Sequence, residues 1–506
     1  MNYFRKSVLA LMLATLASNA MADDVITLST SKPVGEKMTL MVNPIGEISI
    51  AWGDDVFITY PTTDQPFRIL ESELKGQTIT IKAADNRITM LNCSNQEVTS
   101  IDVTQAPNLR SLYCHNNKLE KVALSKADKL TDLDLSKNTF SSTKITVTAK
   151  THPMMEAINL ADNDFASNGT MGNFNFTGKN LQRVDISNNA FVKVNFQNAT
   201  LFDALFSANN KISTLDLEDY ATLTTLYAPE NQIKTLKVAD ANALQTVVVP
   251  SNELTSIDLS GSADLKTLNV ANNELTNITL PNAKLTTFDC ANNKLTFGSF
   301  PVLKYKPENY NITPQAPLSI AGLMKMTDNN VPYIDVCPSY DDRNKEEYIL
   351  NISDYREGPG HSSSGVVVKA FRINEAGEEV ELTKVSSTAK DNEYSYSSGK
   401  LVFFKPMTNV FIKLTNSTYK ELELVSELFC VGKDVAVGID DVCEPLEELQ
   451  IVSTPGALTL TTNKRTLVNI FNIEGKKVWG GTVIGAQTIY LPKGVFVVNG
   501  KKVNII

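Results

Sequence analysis

Histidine is the scarcest of the side chains that carry chemistry in this sequence. Its three copies, His115, His152 and His361, are scattered among 506 residues. None of them forms a recognisable pair with a serine or cysteine nucleophile. HExxH, paired CxxC, Walker-loop and dinucleotide-binding patterns are absent as well. We therefore predict a protein that is not an enzyme, with no catalytic residue, no metal site and no cofactor.

Long apolar runs are also absent beyond the first 22 residues, because none reaches the roughly 18 to 20 residues that a membrane-spanning helix requires. Residues 1–22 have the layout of a secretory signal peptide. Arg5 and Lys6 precede an apolar stretch at 8–17, and Ala20 and Ala22 frame a small-x-small cleavage site. We predict a secreted chain without a transmembrane segment.

Positive charge is in deficit, with 47 basic against 56 acidic residues and a formal charge of −9. Loss of the predicted signal would remove Arg5 and Lys6 and lower the formal charge further. Nucleic-acid binding depends on basic side chains that neutralise phosphates. The composition therefore predicts that nucleic acid is not a partner, whereas the acidic surface is suited to solubility or to cationic patches on a partner.

Ten copies of one pattern fill residues 88–295. Each has apolar residues at positions 1, 4 and 6, asparagine at 9 and an apolar residue at 11, as in LRSLYCHNNKL from Leu109 and LKTLNVANNEL from Leu265. A fixed period of this kind is typical of a leucine-rich-repeat solenoid, in which each copy adds one short parallel strand. The ninth positions, spaced by 21, 21, 25, 26, 21, 21, 21, 21 and 20 residues, are Gln96, Asn117, Asn138, Asn163, Asn189, Asn210, Asn231, Asn252, Asn273 and Asn293.

The recurrent asparagine predicts a buried polar ladder. Its side-chain amide can satisfy backbone groups where the strand ends, and we expect stacked copies to bond to one another. A second apolar pair in each repeat closes the coil through short extended or 3₁₀ segments. In one of the two longer repeats, residues 166–173, with Gly169 and Gly172, are predicted to form a loop that either joins a binding surface or is a neutral insertion.

The middle residue of each strand, between the second and third apolar positions, points to solvent. Alternation places Asn92 and nine later residues in one row, which we predict to line the concave face of the solenoid and to bind a partner. Phe206, Tyr227 and Val248 form an apolar run within it, read either as an interface anchor or as ordinary cross-strand packing. The nine predicted binding residues are Tyr113, Asp134, Asn159, Asp185, Phe206, Tyr227, Val248, Asn269 and Asp289.

Two aspartates of that row, Asp134 and Asp185, lie on one face and superficially resemble the carboxylate pair of a glycosidase. Aspartate is common at this position in such repeats. We therefore assign neither residue to catalysis.

The pattern changes on both sides of the repeats. Ile48, Ile50 and Trp52 alternate with polar residues, and short strand-like runs after residue 318 have the spacing of an antiparallel sandwich of immunoglobulin type. The fold class is therefore mainly β, a solenoid of ten repeats of about 21 residues flanked by small β domains. The predicted parts are a signal peptide (1–22), an N-terminal β cap (23–85), the solenoid (86–300), a proline-rich linker (301–317), an Ig-like β-sandwich (318–435) and a C-terminal β domain (436–506).

Cysteine use fits this layout. Cys93, Cys114 and Cys290 occupy the third apolar position of their repeats and are predicted to be small buried hydrophobic residues, the first two as neighbours in the stack. Cys337 and Cys430 lie near the two ends of the predicted sandwich, and a disulfide between them is one of the alternatives in an oxidising compartment.

The repeats resemble the internalin-type and related leucine-rich repeats of surface proteins in Bacteroidetes, and the Trp52-Gly53-Asp54 lead-in with a sandwich after the repeats has the same arrangement. The last sixty or so residues, with VNIFNIEGKKV from Val468 and LPKGVFVVNGKKVNII from Leu491, resemble the C-terminal sorting domain of type IX secretion substrates. The resemblance implies placement at the cell surface or outer envelope, with attachment through the C-terminal domain.

Two functional hypotheses follow. The first is an exported, surface-associated binding protein that engages a protein of a host or neighbouring cell through the concave face. The second is a glycan-binding or structural envelope scaffold protein. A protein ligand and surface exposure favour the first, whereas polysaccharide binding favours the second.

Overall fold

The computed structural model describes most of the chain after the predicted signal peptide, which lies outside the described residues. The residues described are 23–505 except for 45, 63, 66, 85–86, 142–149, 166–172, 328–330, 338–346, 357–364, 375, 387–389, 434–449, 455–456, 473–476, 492–493 and 499–500.

Strands connected by turns make up nearly all of the regular structure in this part of the chain, with two short 3₁₀ turns at Ala321–Leu323 and Ser353–Tyr355. The described residues form two compact units, one made of those up to Asn293 together with Pro301–Ile312, and the other made of Lys294–Phe300 and those from Thr313 onward. No helix among the described residues has the length and apolarity needed to cross a membrane.

The N-terminal strands build two layers. Apolar and polar residues alternate along them, so that every second side chain of the first strand is buried. Trp52 lies in the core, and its indole Nε1 donates a hydrogen bond to the Tyr60 hydroxyl at 3.2 Å. The strands are β1 (Asp24–Thr30), β2 (Lys37–Pro44), β3 (Ile48–Ala51), β4 (Phe57–Tyr60), β5 (Arg68–Glu73) and β6 (Thr78–Ala83).

The repeats follow as a solenoid with two sides. The strand bounds are β7 (Ile88–Asn92), β8 (Val98–Gln105), β9 (Ser111–Tyr113), β10 (Val122–Ala123), β11 (Asp132–Asp134), β12 (Ala157–Asn159), β13 (Asn173–Thr177), β14 (Arg183–Asp185), β15 (Lys193–Gln197), β16 (Ala204–Phe206), β17 (Thr214–Asp216), β18 (Thr225–Tyr227), β19 (Thr235–Lys237), β20 (Thr246–Val248), β21 (Ser256–Asp258), β22 (Thr267–Asn269), β23 (Asn277–Thr279), β24 (Thr287–Asp289) and β25 (Asn309–Asn311).

One sheet of thirteen strands runs along the main side, in the order β25-β24-β22-β20-β18-β16-β14-β12-β11-β9-β7-β2-β5. The repeat strands pair in parallel, and β2 joins β7 in antiparallel fashion. The N-terminal layer is thus continuous with the repeat sheet. At the other end β25, within the segment predicted as a linker, pairs in parallel with β24 and extends the sheet by one strand.

The return side is extended, as predicted. Short parallel pairs form between β13 and β15, β17 and β19, and β21 and β23. At the N-terminal end β8 pairs with β10 and also with β1, which ties the first coil to the second N-terminal layer. Both layers of the N-terminal part therefore cover the first coil. Such a cap is what a solenoid needs to avoid exposing core.

The asparagine ladder is present, and its amides satisfy backbone groups as predicted, but they do so without the predicted bonds between stacked copies. Asn231 donates from Nδ2 to the backbone carbonyls of Ser207, Ala228 and Pro229, and its Oδ1 accepts the N–H of Ile212 at 3.1 Å. The amides thus bond to the backbone of their own and the preceding coil. They do not bond to one another as we expected, because the strand-end backbone groups are nearer. The same pattern recurs at Asn117, Asn138, Asn163, Asn189, Asn210, Asn252, Asn273 and Asn293.

Gln96, the one exception in the ladder, has a different role at the end of the stack. Its Oε1 accepts the backbone N–H of Thr39 in β2 at 3.0 Å and lies 3.0 Å from the Lys32 ammonium. The first repeat has no preceding coil, so the longer side chain reaches the cap instead.

The residue before each ladder position has a left-handed backbone. Its φ lies between 50° and 62° in all ten repeats. Asparagine tolerates this conformation better than other non-glycine residues. The exposed asparagines here also bond to one another, as Asn116 does to Asn95 at 2.6 Å. In repeats with two consecutive asparagines, the first is the more exposed and adopts the left-handed backbone, and the second is the more buried and bonds to backbone groups.

Three phenylalanines occupy the eleventh position around the longer repeats. The rings of Phe140, Phe165 and Phe191 are fully buried and stack with centroids 5.8 and 5.7 Å apart. Leucine or isoleucine takes this position in the regular coils that follow, such as Ile212 and Ile233. Phe140 and Phe165 belong to the two longer repeats and Phe191 to the regular repeat that follows, so the three rings form one stack across all three coils. Most of the predicted loop at 166–173 lies outside the described residues, apart from Asn173 in β13.

His152 lies buried in a longer repeat, and it gives the fold a pH-sensitive point. It is 3% exposed, and its Nε2 has no hydrogen-bond partner in the described part of the chain. Burial lowers the pKa of His152 below its ordinary value. The folded protein therefore binds fewer protons here than the unfolded chain, so stability is lost as the pH falls through the unfolded pKa of about 6.5.

His152 should lower the free energy of unfolding as the pH falls from about 7 to about 5, whereas Asp24, whose pKa burial raises to about 6, acts in the opposite direction. We therefore expect His152→Phe to have a free energy of unfolding that falls less, or rises more, over this pH range than that of the wild type. Urea titrations at both pH values measure the effect. His115→Phe, at a half-exposed position, is the control for the loss of a histidine, because it leaves buried His152 in place. An unchanged pH profile in His152→Phe would contradict the assignment.

The cysteines of the repeats are buried thiols. Cys93 and Cys114 stack in adjacent coils with their Sγ atoms 3.3 Å apart, as expected for neighbours in the ladder. The pKa of Cys114 is raised, by its contact with Cys93 first and by burial second.

The second unit contains two facing sheets between residues 325 and 431. Tyr394 reaches across to the backbone carbonyl of Val368, and the rings of Phe403 and Phe429 meet edge to face at 6.0 Å. The strands are β26 (Lys325–Met326), β27 (Pro332–Ile334), β28 (Val336–Cys337), β29 (Glu347–Asn351), β30 (Val366–Ile373), β31 (Glu379–Glu381), β32 (Thr383–Lys384), β33 (Glu393–Ser397), β34 (Lys400–Phe403), β35 (Met407–Asn416), β36 (Glu423–Val425) and β37 (Phe429–Val431).

Pairing in these two sheets is mostly antiparallel, with parallel pairs between β27 and β37 and between β32 and β33. The immunoglobulin-type assignment remains a prediction. The disulfide considered between Cys337 and Cys430 is not formed, because Cys430 is a free, buried thiol. It packs instead beside Tyr333 in an apolar cluster. Cys443 lies outside the described residues.

A further five-stranded sheet ends the chain. Leu458, Leu460, Val468, Ile470 and Phe496 belong to its buried cluster, to which Trp479 adds a partly buried ring. Its strands are β38 (Gln450–Thr454), β39 (Ala457–Asn472), β40 (Lys477–Tyr490), β41 (Gly494–Val498) and β42 (Lys501–Ile505).

Candidate functional site

The nine residues predicted to bind a partner occupy the same position on nine strands that are neighbours in the thirteen-stranded sheet, from β9 through β11, β12, β14, β16, β18, β20 and β22 to β24. The register pairs Tyr113 with Asp134, continues through Phe206 with Tyr227 and ends with Asn269 beside Asp289. We call this set the strand-face row. Apolar side chains on either side of each row residue point into the coil, so the row itself is only partly buried. Tyr227 is its most open member, at 40% exposure.

Every asparagine or aspartate side chain in the strand-face row accepts a hydrogen bond from a backbone N–H. The Oδ1 atom of Asp134 accepts the N–H of Ser136 at 3.0 Å, and Asp185 does the same for Ser187 at 2.9 Å. Such bonds to the N–H two residues on are Asx turns, which stabilise the chain where the strand ends. The same bond is made by Asn159, Asn269 and Asp289, and by Asn92 before the row.

The sequence analysis missed these turns, although the recurrence of asparagine and aspartate at one position was visible. The Asx turns explain why asparagine or aspartate occupies five positions of the row. They do not explain the other four residues, whose side chains cannot form an Asx turn: Tyr113, Phe206, Tyr227 and Val248. Phe206 and Tyr227 contact each other with ring centroids 6.3 Å apart and planes tilted by 42°.

A cavity of about 250 Å³ opens on the strand face at the longer repeats. Its floor is β12, where Ala157 is shorter than its neighbours Asp132 on β11 and Arg183 on β14. We call this the strand-face cavity, and it is lined by Tyr113, Asp132, Leu133, Asp134, Ala157, Ile158, Asn159, Arg183, Asp185 and Phe206. Five residues of the strand-face row therefore meet in one concavity.

The electrostatics of the strand-face cavity are dominated by carboxylates. Burial raises the pKa of Asp185, nearby Asp162 and Asp134 raise it further, and hydrogen bonds from Ser187 oppose the shift. His115 Nδ1 lies 3.7 Å from Asp134 Oδ2. Three carboxylates face one guanidinium, that of Arg183, among the lining residues.

This arrangement does not assemble recognisable catalytic machinery. Asp134 and Asp185 lie two strands apart, about 10 Å at their Cα atoms, and each already engages a turn through one oxygen. Within the described ranges no group of three His, Cys, Asp or Glu residues is placed to hold a metal ion. The absence of enzymatic activity stays a prediction.

No protein-family model matches this chain, and no curated protein does either. Among solved structures, the functional domain of InlJ from Listeria monocytogenes is similar at 15% identity, over 69% of this chain and 92% of that one, with a TM-score of 0.33. Internalin C2 from Listeria monocytogenes is 21% identical over 32% and 81%, with a TM-score of 0.23. YopM from Yersinia enterocolitica is 15% identical over 46% and 65%, with a TM-score of 0.22. At these values the functional assignment rests on the chain's own residues.

Proposed function

We propose that this chain is an exported, surface-associated binding protein that engages a protein partner through its strand-face row. The observation that carries the proposal is the presence of Tyr113, Phe206, Tyr227 and Val248 at positions where the turn favours asparagine or aspartate. Aromatic side chains provide large apolar contact areas with little loss of conformational freedom, and hot spots of protein interfaces are enriched in them.

The row also has the form of an interface. Phe206, Tyr227 and Val248 adjoin on three successive strands, with polar neighbours Asp185 and Asn269 on either side. An apolar centre with a polar rim is the usual arrangement of a specific protein interface. The contact between Phe206 and Tyr227 also contributes cross-strand packing, so the test must separate binding from stability.

Export and surface placement are part of the proposal. They rest on the signal-like residues 1–22 and on the resemblance of the C-terminal strands, β38 to β42, to a sorting domain. We propose that this terminal sheet provides attachment and that the solenoid provides recognition.

The triple variant Phe206→Ser, Tyr227→Ser, Val248→Ser tests the proposal. We expect it to lose binding on arrays of host matrix proteins, because it removes the apolar centre, while its thermal stability stays nearly unchanged. The control is Phe67→Ser, Val302→Ser, Tyr305→Ser, which removes the same three residue types from exposed positions away from the row.

Several outcomes count against the proposal. A triple row variant that unfolds at much lower temperature yet still binds would make the patch a packing feature. Binding to polysaccharide alone would favour the glycan-binding alternative. Equal loss of binding in both variants would place the interaction elsewhere.

A further inference from the structure

The Asx turns do not explain why the strand-face cavity carries negative charge. Asn159 makes the same Asx turn as Asp134 and Asp185 with an uncharged side chain, at 3.0 Å. The turn requires the Oδ1 atom, which both residue types supply. Two like charges two strands apart in a partly buried cavity cost free energy, so their presence calls for a compensating group.

The residues that line the strand-face cavity indicate which kind of cationic group would compensate this charge. Tyr113 and Phe206 stand at its two ends, and the short side chain of Ala157 leaves room between them. Aromatic faces attract cations, and guanidinium groups stack on them. Among the described lining residues, Arg183 is the only one with a permanent positive charge, so Asp132, Asp134 and Asp185 leave a net charge of −2, with His115 at 3.7 Å from Asp134 Oδ2.

We propose that the strand-face cavity binds a basic side chain of the partner protein, with arginine as the best fit. The inference rests on the proposed function and specifies its chemistry. The Oδ2 atoms of Asp134 and Asp185, which make no turn bond, receive the guanidinium N–H groups, and the rings of Tyr113 and Phe206 bound the cavity at its two ends. A planar guanidinium with five donors suits several acceptors in one cavity better than an ammonium does.

The decisive variant is Asp134→Asn with Asp185→Asn, which keeps the Oδ1 of each Asx turn and removes both charges. Its matched control is Asp102→Asn with Asp258→Asn. These residues make the same Asx turns, outside the strand-face row and the strand-face cavity, with Thr104 and Ser260. The two variants have equal net charge, so a general electrostatic effect would change both equally.

The probes are two capped heptapeptides of glycine and serine with one central residue, arginine in the first and its neutral isostere citrulline in the second. Saturation-transfer NMR with the full chain reports their binding. We expect the arginine peptide to bind better than the citrulline peptide, and the Asp134→Asn, Asp185→Asn variant to bind it about ten-fold or more weakly, since hydrogen bonds to charged groups are lost. The control variant should bind it as the wild type does.

Three results would overturn the inference: equal binding of both peptides, no binding of the arginine peptide, or equal weakening in both variants. Glycan binding that is lost only in Asp134→Asn, Asp185→Asn would also overturn it by assigning the cavity to a sugar. These failures remain distinguishable from failure of the proposed function. Partner binding that depends on Phe206, Tyr227 and Val248 but not on the two aspartates would leave the binding role intact and remove only the basic side chain.

Discussion

Substitution of Asn273 by alanine is expected to lower the free energy of unfolding by about 3 kcal/mol. The change removes the acceptor for the buried N–H of Leu254, at 3.0 Å, and the donors to the carbonyls of Val249 and Val270. A buried backbone N–H without a partner costs far more than an average hydrogen bond contributes. Urea unfolding followed by circular dichroism measures the loss.

The control for this prediction is Asn277→Ala, four residues later. Asn277 lies exposed on β23, and its side chain approaches only the Thr279 hydroxyl, at 3.4 Å. We expect a change there of no more than about 0.5 kcal/mol. Similar losses of unfolding free energy at Asn273 and Asn277 would show that a buried ladder asparagine contributes no more to stability than an exposed asparagine does.

The ladder also couples neighbouring coils. The Val249 carbonyl accepts from both Asn252 and Asn273. Removal of either asparagine therefore leaves the other with an altered partner. The double variant should lose an amount that differs from the sum of the single losses, as expected for residues that share a partner.

Replacing Phe165 by alanine is expected to lower the free energy of unfolding by about 4 kcal/mol. Its fully buried ring lies between those of Phe140 and Phe191, so that truncation leaves a cavity with an aromatic wall on both sides. The rigid coils above and below limit collapse into the space. Thermal and urea unfolding at one pH give the value.

Phe165→Leu refines this prediction, because it installs a residue type found at the same position in the regular coils. If the longer coils need the larger ring, leucine should still cost roughly 1 to 2 kcal/mol. A leucine variant as stable as the wild type would show that the additional residues of the longer repeats do not enlarge the interior. In that case the phenylalanines would have no volumetric role.

The repeat period made much of this architecture predictable. Because side chains alternate along a strand, the spacing of Leu223, Leu226 and Ala228 fixes which neighbour faces solvent, and Tyr227 lies where that rule places it. The buried asparagines were equally predictable, since a polar residue that recurs within an apolar pattern must satisfy backbone groups.

Features that depend on neighbouring coils were not predictable from single repeats. The strand-face cavity exists because Ala157 is short between Asp132 and Arg183, residues 25 and 26 positions away. Strand β25 has no leucine-rich pattern, and its pairing with β24 is set by the coil beneath it. The Asx turns depend on local hydrogen bonding, for which the apolar pattern contains no signal.

The order of strands at the cap has a consequence for self-association. The thirteen-stranded sheet ends at β5, whose sequence RILESE places Glu71 and Glu73 beside a backbone edge that no strand among the described residues pairs with. A second molecule that docked its own β5 there in antiparallel fashion would bring like charges together and would compete with the Lys37–Glu71 ion pair of 2.8 Å. The cap thus opposes edge-to-edge polymerisation, a hazard for a protein whose longest sheet grows by adding strands.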